Sequence, residues 1–582
     1  MSISNAPQVW LQDAIRLHRG GELERAAGLY ERVIKAAPDN ANALHLFGLV
    51  RHQLGAHAEG ARYIRRAVDL VPDQPVLRNN LGDALRMAGE PRAAIEQLLT
   101  ALSLRPDYAG AHLNLCAAFS AIKDFDAALR HGETAVRLAP DHAEAHFNLG
   151  LARLDAVALE DAAASFREVL RRDPEHPGAI SNLLYLLNLI PGLDPQAVAA
   201  EHRRIGARWD HVGPTSRTAA TRQPEQALRI GYLSRDLRAH AVSHFVEPVL
   251  AQHDRKRFQV WCYCDVEQPD AVTERLRGLA DQWREVAGWT DRRLLDQLRQ
   301  DQIDILVDLG GHTEKNRLAL FAHKPAPVQI SWIGYPNTTG MAAMDFRIVD
   351  THSAQTGEPG HEALLRLPRL FASYRPHVHA PDVSTLPAEL SGQLTFGSLH
   401  RMEKLNRAVI DLWSRLLHAV PQARLLIARD ELDPWQQRRI ELAFARHGID
   451  GERLLLRQLD GSRSFLDEYA DIDIHLDAFP WSGHTIACSA LWQGVPVITL
   501  AGRSHVGRMV SSVLTAVGLA QLVATDEAEY VRIAVDLAAD IPALAALRAG
   551  LRERLAASPL RDERQFTDDL ESAYLQAWAA RQ

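Results

Sequence analysis

The sequence predicts a protein in two parts: an α-solenoid of paired helices, followed by two Rossmann-like α/β lobes built on parallel sheets. Two observations lead to this fold class. Over the first third of the chain, small residues and prolines recur with a period of 34 residues. From Leu228 onward, short apolar runs alternate with amphipathic stretches, which is the pattern of parallel strands joined by helices.

The repeat is defined by prolines near its end and by two positions that hold small residues. The prolines are Pro38, Pro72, Pro106, Pro140 and Pro174; the small residues are Gly48, Gly82, Cys116 and Gly150 at one position, and Ala26, Gly60, Ala94, Ala128 and Ala162 at the other. Small residues let two helices approach closely, and proline ends the second helix. This pattern is typical of tetratricopeptide repeats. We expect five repeats over residues 7–176 and the start of a sixth over 181–190.

Asparagine also recurs every 34 residues, at Asn80, Asn114, Asn148 and Asn182. This position lies on the first helix of each repeat, which lines the concave face of such arrays. A side-chain amide both donates and accepts hydrogen bonds, so a row of them can hold the backbone of an extended acceptor peptide. The alternative is that asparagine is simply common at this position. A repeat array by itself binds a partner chain and does no chemistry.

We divide the chain by these patterns into a repeat superhelix (1–190), a linker with a short helix (191–227), a first lobe (228–380), a second lobe (381–560) and a C-terminal helix that packs back on the lobes (561–582). The predicted strands of the first lobe are LRIGYLS, FQVWCYC, IDILVDL, VQISWIG and FRIVD, with helices at 271–286 and 291–300. Those of the second lobe are LTFGS, RLLIAR, ERLLLR, IDIHLD and PVITL, with helices at 405–419, 434–447, 485–493 and 505–517.

The composition is that of an ordinary water-soluble protein, with 47% hydrophobic and 24% charged residues and a formal net charge of -8. This balance gives no support to a nucleic-acid partner. The four cysteines, Cys116, Cys262, Cys264 and Cys488, form neither a disulfide pattern nor a zinc motif. The N-terminus lacks the features of a signal peptide, and no apolar run is long enough to span a membrane. We therefore expect a cytoplasmic protein without a membrane partner.

The segment HLDAFPWSGHTIACSALWQGVPVITL carries the strongest sign of chemistry in the second lobe. A strand ends at Asp477, and a helix begins near Gly483, His484 and Thr485 after a short loop. The free amides at a helix start, with a glycine and a hydroxyl, suit an anion. Lys404 follows the strand LTFGS and could neutralise a diphosphate leaving group without a metal. The alternative for this lysine is a solvated surface position.

Three strand ends of the first lobe carry polar residues. SRDLRAHAVSHF contains His240 and His244, ILVDLGGHT contains Asp308 and Thr313, and WIGYPNTTG is rich in glycine and hydroxyl groups. A histidine here could accept a proton from an acceptor hydroxyl or position it. The two histidines could also bind a metal, but we find no acidic third ligand beside them and expect none to be bound. Each loop taken singly could be a mere turn.

In their order along the chain, these motifs resemble the O-linked N-acetylglucosamine transferase family, whose members also carry tetratricopeptide repeats before the catalytic block. The resemblance runs from Arg229 to Tyr574 through SRDLRAHAVSHF, ILVDLGGHT, PAPVQISWIGYPNTTG, the loop with Lys404, and SGHTIACSALWQGVPVITL. It implies a GT-B-like pair of lobes that transfers N-acetylglucosamine from UDP-N-acetylglucosamine to Ser or Thr hydroxyls. The transfer would invert the anomeric centre and need neither metal nor cofactor.

The resemblance also implies residue roles. Lys404 would hold the diphosphate, and the helix start at Gly483, His484 and Thr485 would add donors. His240 would lie near the acceptor and the sugar, where the family's base has been proposed. The residues expected to shape the sugar pocket are Thr313, Gly334 and Pro336.

Four positions depart from the family pattern. Arg401 stands where relatives have Gln or Asn, and Ser489 stands where close relatives have an Asp that contacts the donor. Ile486 replaces a second Thr, and Phe465 lies where a His is usual. We still expect Arg401 and Ser489 in the donor site, where Arg401 could strengthen phosphate binding. The other changes bear on which sugar and base are bound.

Two alternatives to O-linked N-acetylglucosamine transfer stay open at this point. The same fold could use another nucleotide sugar or an asparagine acceptor. The chain could also be a non-catalytic scaffold that binds a client protein through its repeats. The sequence names neither the client nor the oligomeric state.

Overall fold

A computed structural model describes residues 6–210, 226–462 and 464–581. The chain forms two compact units, Met1–Ala179 and Ile180–Gln582. The division therefore lies inside the helix that we expect to open the sixth repeat. No helix in the described part of the chain is both long and apolar enough to cross a bilayer.

The first unit consists of helices that pack in consecutive pairs. They are α1 (Ala6–Arg19), α2 (Leu23–Ala36), α3 (Ala41–Gln53), α4 (His57–Leu70), α5 (Pro75–Met87), α6 (Pro91–Leu104), α7 (Ala109–Ala121), α8 (Phe125–Leu138), α9 (Ala143–Asp155) and α10 (Leu159–Arg172), with α11 (Pro177–Leu187) continuing into the second unit. Each odd-numbered helix from α1 to α9 packs against the helix that follows it. These pairs are the five predicted repeats.

The small residues act as predicted, because they allow the two helices of a pair to touch. A Cβ atom added at Gly48 would lie 2.5 Å from Cγ1 of Ile64, and one at Gly82 would lie 2.5 Å from Cγ of Leu98. At Gly48 the backbone oxygen of Gly60 would also lie 2.8 Å from the added Cβ atom, so a side chain there would push the two helices apart. The second helix of each pair ends two residues before a proline, as α4 does before Pro72.

The second unit begins with α11 and α12 (Pro195–Gly206) and contains both lobes. The first lobe has a seven-stranded parallel sheet in the order β3-β2-β1-β4-β5-β6-β7. Its strands are β1 (Leu228–Ser234), β2 (Phe258–Cys264), β3 (Gln282–Glu285), β4 (Ile305–Asp308), β5 (Val328–Ser331), β6 (Phe346–Asp350) and β7 (Ala363–Leu367); its helices are α13 (Ser243–Gln252), α14 (Ala271–Arg277), α15 (Asp291–Gln300) and α16 (Leu318–Phe321).

The second lobe has a six-stranded parallel sheet in the order β10-β9-β8-β11-β12-β13. Its strands are β8 (Thr395–Ser398), β9 (Arg424–Arg429), β10 (Leu454–Gln458), β11 (Ile474–Leu476), β12 (Val497–Leu500) and β13 (Val523–Ala524). Its helices are α17 (Pro387–Ser391), α18 (Arg407–Ala419), α19 (Pro434–Ala445), α20 (His484–Trp492), α21 (His505–Ala516), α22 (Glu527–Ala539) and α23 (Ile541–Ala556). The first strand of each lobe, β1 or β8, lies inside its sheet, and the strand order reverses beside it. Such a reversal leaves a crevice at the carboxyl ends of the strands.

One predicted helix is wrong, and three strands were not predicted. Residues 271–286 form the short helix α14 and then the strand β3, because the helix ends at Gly278. β3 reads QWRE and is only partly buried, so it lacks the apolar run that marks a strand. β7 and β13 also lie at or next to sheet edges, where partial exposure weakens the apolar pattern.

The segment expected to be a linker contains α12, which packs closely on the first lobe. A Cβ atom at Gly206 would lie 2.2 Å from the carbonyl oxygen of Gly340, and the side chain of His202 is fully buried. A short 3₁₀ turn, Ala207–Trp209, follows α12. The rest of the predicted linker, residues 211–225, lies outside the described residues.

The last helix, α24 (Glu563–Ala579), returns to the first lobe and packs against α13 and β7. Its apolar residues join the core of that lobe; they are Phe566, Leu570, Ala573, Tyr574, Ala577 and Trp578. Glu571 is buried among them and accepts hydrogen bonds from Nδ1 of His253 at 2.9 Å and from the amide of Asp254 at 2.8 Å. The helix is thus held by both apolar packing and a buried carboxylate.

Candidate functional site

Lys404 and the start of α20 lie together at the carboxyl edge of the second sheet. They follow β8 and β11, which are neighbouring parallel strands, so the two loops emerge side by side. The ammonium of Lys404 donates to the carbonyl oxygen of Ser482 at 3.4 Å and lies 5.2 Å from the centre of the Trp481 ring. The predicted partners of a diphosphate site are therefore adjacent.

The charge of Lys404 is only weakly compensated. Burial lowers its pKa to about 8, although the carboxylates of Asp477 and Glu403 act in the opposite direction. Among the residues described, no carboxylate forms an ion pair with this ammonium. A partly buried cation without a paired anion gains more from binding a negatively charged group than a solvated one does.

Asp477 holds the loop that leads into α20. Its Oδ1 accepts the amide of Gly483 at 2.8 Å and Nε2 of His400 at 3.1 Å, and its Oδ2 accepts the hydroxyl of Thr499 at 2.7 Å. The amide of Gly483, which we expected to serve a donor molecule, is thus directed at Asp477. The following amides, of His484 and Thr485, belong to the first turn of α20 and have no acceptor within the helix.

The side chain of His484 is packed between aromatic rings and is neutral. Its ring centre lies 5.0 Å from that of Phe245 and 5.7 Å from that of Phe371. Burial lowers the pKa of His484 to about 3, and the charge of Lys404 acts in the same direction. At neutral pH, His484 can therefore offer a hydrogen bond but no positive charge.

Arg401 is bound by acidic side chains. Its Nε lies 2.9 Å from Oε1 of Glu403 and 3.3 Å from Oε1 of Glu431. Burial lowers the pKa of Arg401, but Glu403 and the neighbouring groups Tyr185, Glu431 and Asp430 together outweigh burial and raise it. Glu403 in turn accepts the hydroxyl of Tyr185 at 3.0 Å. The positive charge of Arg401 is therefore shared with two anions before any phosphate arrives.

His240 follows β1 in the first lobe, and its side chain is 40% exposed. The amide of Val242 donates to its Nδ1 at 3.3 Å, and a carboxylate oxygen of Asp236 lies 3.7 Å from the same atom. Burial lowers the pKa of His240; Asp236 opposes this shift, and the charges of Arg238 and Arg401 add to it. Asp236 is thus an acidic neighbour of His240 that was not predicted from the sequence.

The expected sugar pocket follows β4 and β5. A Cβ atom at Gly334 would lie 1.8 Å from the carbonyl oxygen of Leu309, so only glycine is accommodated there. Pro336 is buried and Thr313 is half-buried. Between Gly334 and Pro336, the ring of Tyr335 lies 6.4 Å from that of Trp481. This contact brings the first-lobe loop to the residue that also faces Lys404.

Ser489, which we expect in the donor site, is buried against another side chain of the protein. It is buried, and its hydroxyl lies 3.2 Å from the hydroxyl of Tyr374. Ile486 and Phe465 are both half-buried, and the carbonyl oxygen of Ile486 accepts the hydroxyl of Tyr469 at 3.1 Å. Ser489 therefore makes a contact inside the protein.

The recurring asparagines are partly engaged with protein groups. Asn114 donates to Oδ1 of Asn79 at 3.0 Å and is 8% exposed. Nδ2 of Asn80 lies 2.9 Å from Nε2 of His45. Asn148 and Asn182 are half-buried. Asn114 thus offers the least free surface to a peptide.

Sequence reasoning missed four residues that complete the site, namely Tyr185, His400, Asp477 and Trp481. Asp477 was seen only as the last residue of a strand, and its position at a strand's carboxyl end was the available signal. The other three depend on contacts between distant parts of the chain. Across the described residues, no three His, Cys, Asp or Glu side chains are grouped so as to hold a metal ion.

Two family profiles match this chain. The profile of glycosyl transferase family 41 matches residues 197–361 and 385–570, and the tetratricopeptide repeat matches residues 13–75 and 118–177. The chain belongs to glycosyl transferase family 41. The predicted family resemblance and the predicted fold class are both confirmed.

The curated relatives of this chain include longer plant proteins. A SPINDLY protein of Petunia hybrida, named a probable UDP-N-acetylglucosamine–peptide N-acetylglucosaminyltransferase, is 37% identical over 428 residues, 70% of this chain and 45% of the relative. The Arabidopsis thaliana SPINDLY protein, which bears the same name, is 38% identical over 417 residues, 70% of this chain and 45% of the relative. The chain thus spans less than half the length of these relatives.

A solved structure covers the whole architecture of this family 41 chain. It is that of a mutant O-GlcNAc transferase from Thermobaculum terrenum, which is 34% identical and superposes with a TM-score of 0.66. The match covers 100% of this chain and 99% of the other. The order of a repeat array and two α/β lobes is therefore common to both proteins.

The lowered pKa of Lys404 can be measured directly. We expect the amine to become reactive with half-maximal rate near pH 8, because burial favours its neutral form. Competitive acetylation over a pH series, read by mass spectrometry, gives this value, and the exposed Lys256 serves to normalise the reagent. Half-maximal reactivity near pH 10.5, the ordinary value for lysine, would contradict the described environment.

Proposed function

We propose that the protein is an inverting, metal-independent glycosyltransferase that moves N-acetylglucosamine from UDP-N-acetylglucosamine to Ser or Thr residues of a protein bound along the repeats. The observation that carries the proposal is the half-buried, unpaired ammonium of Lys404 beside the first turn of α20. Membership of family 41 and the names of the relatives support the donor and the acceptor class.

The transfer requires that negative charge be stabilised on a leaving diphosphate. The acceptor oxygen forms a bond to the anomeric carbon while the bond from that carbon to the β-phosphate oxygen breaks, and the nucleoside diphosphate leaves with the electron pair. Lys404 and the free amides of His484 and Thr485 would stabilise this charge without a metal. Because Arg401 is already bound to two carboxylates, we assign it a supporting role.

His240 is proposed to position the acceptor. Its Nδ1 accepts the amide of Val242, so the neutral ring carries its proton on Nε2. Such a ring donates a hydrogen bond from Nε2 to an oxygen of the acceptor or the sugar. The acceptor proton would then pass to solvent.

A nucleotide sugar without the acetamido group is the second candidate donor. The ring of Trp481 lies 5.2 Å from the ammonium of Lys404, which would hold the diphosphate, and 6.4 Å from the ring of Tyr335 in the loop that would hold the sugar. An indole near both groups would restrict the space for a substituent on the sugar ring. Incubation with a panel of UDP- and GDP-sugars, followed by assay of hydrolysis and transfer, separates the two donors. If none turns over, the non-catalytic scaffold remains as the alternative.

The diphosphate role predicts a specific loss on changing Lys404. For Lys404→Ala we expect turnover to fall by about a hundredfold or more, since removal of one charge-stabilising donor costs that much in other enzymes. The thermal unfolding midpoint should stay close to that of the wild type. The exposed Lys256→Ala serves as control and should retain full turnover. Undiminished turnover of Lys404→Ala would refute the role.

The recurring asparagines predict a separate effect on protein acceptors. We expect Asn80→Ala with Asn148→Ala to weaken transfer to a protein while sparing hydrolysis of the donor, because both asparagines belong to the repeat unit and Lys404 belongs to the other. The matched control is Glu96→Ala with Arg130→Ala, two exposed positions on second helices whose charges cancel. Equal rates for the asparagine pair and the wild type on protein acceptors would remove the peptide-binding role.

A further inference from the structure

A buried chain of hydrogen bonds lies directly behind the loop that leads into α20. It runs from the hydroxyl of Ser398 to Nδ1 of His400 at 2.9 Å, and from Nε2 of His400 to Oδ1 of Asp477 at 3.1 Å. The same oxygen of Asp477 accepts the amide of Gly483 at 2.8 Å. Ser398, His400 and Asp477 are each no more than 1% exposed, so water does not compete for these bonds.

The direction of each bond follows from the donors available. A carboxylate only accepts, so Nε2 of His400 carries the proton that it gives to Asp477. Burial lowers the pKa of His400, although Asp477 acts against this shift, so the ring is neutral. Its Nδ1 is then an acceptor and receives the hydroxyl proton of Ser398. Every polar atom of the His400 ring is thus used.

His400 also limits where Gly483 can lie. A Cβ atom at Gly483 would stand 2.3 Å from Nε2 of His400, so the ring is packed directly against this glycine. The ring of His400 therefore packs on Gly483, and the oxygen of Asp477 to which it donates also accepts the Gly483 amide. His400 itself follows β8 and precedes Lys404 by four residues. His400 thus links the turn that carries Lys404, here called the lysine turn, to the start of α20.

We infer that His400 is a positioning residue, which acts through Asp477 and Gly483 to hold the first turn of α20 at the right place relative to Lys404. The inference rests on the proposed function for its effect on a bound diphosphate. Without the His400 bond, Oδ1 of Asp477 loses one of its two donors, and the Gly483 amide loses a fixed acceptor. The free amides of α20 would then no longer converge with Lys404 on one phosphate group.

The positioning itself is tested on the free protein by hydrogen–deuterium exchange. We expect His400→Leu to speed exchange of the Gly483 amide by about tenfold or more, since the lost bond involves a charged group. His400→Gln should stay within about threefold of the wild type, because its amide nitrogen can still donate to Asp477. Unchanged protection in His400→Leu, or equal loss in both variants, would overturn the inference.

Binding of UDP, with GDP as a second probe, tests the consequence for the phosphate site. By calorimetry we expect His400→Leu to raise the Kd about tenfold, and His400→Gln to restore it. The control is His475→Leu. The buried ring of His475 lies 5.2 Å from that of His400, and among the described residues it has no hydrogen bond to Asp477 or Gly483. An equal rise in Kd for His475→Leu would show a mere packing effect and overturn the inference. A wild type that binds neither nucleotide counts against the proposed function, while the exchange measurement still decides the positioning.

Discussion

The carboxylate of Asp477 is the interaction on which the second lobe's site depends. It joins the ends of three neighbouring strands, because it follows β11 and bonds to His400 after β8 and to Thr499 in β12. It also holds the amide of Gly483, at the point where α20 begins. A charge at this depth is stable only when its oxygens are fully hydrogen-bonded, and here they are. The helix start and Lys404 are thereby held in one place.

The segment from α11 to α12 completes the site, because it bonds to both lobes. The Tyr335 hydroxyl lies 2.8 Å from Nδ2 of Asn188 and 2.6 Å from Nε2 of His202, while Tyr185 donates to Glu403 in the second lobe. Tyr185 also packs on Trp481, with ring centres 4.9 Å apart. The expected sugar loop and the lysine turn are therefore held by the same stretch of chain, which continues directly from the repeats.

Periodic features were predictable from the sequence, whereas long-range contacts were not. Helix pairs follow from a repeat whose glycines, such as Gly82, meet a side chain of the partner helix. Apolar strands such as β1 and β4 were equally clear, but β3 was not, since its residues are partly exposed. Lys404 was found because it follows a strand. The contact of Tyr185 with Glu403 joins residues 218 positions apart, and no local pattern reports such a pairing.

The central claim is that Lys404 and the first turn of α20 together hold a diphosphate. The most direct measurement is a crystal structure with UDP bound. We predict a β-phosphate oxygen within about 3 Å of the Lys404 ammonium, and another at the same distance from the amides of His484 or Thr485. A nucleotide bound at the first-lobe sheet instead, or one whose phosphates leave Lys404 in contact with Ser482 and Trp481, would contradict the account.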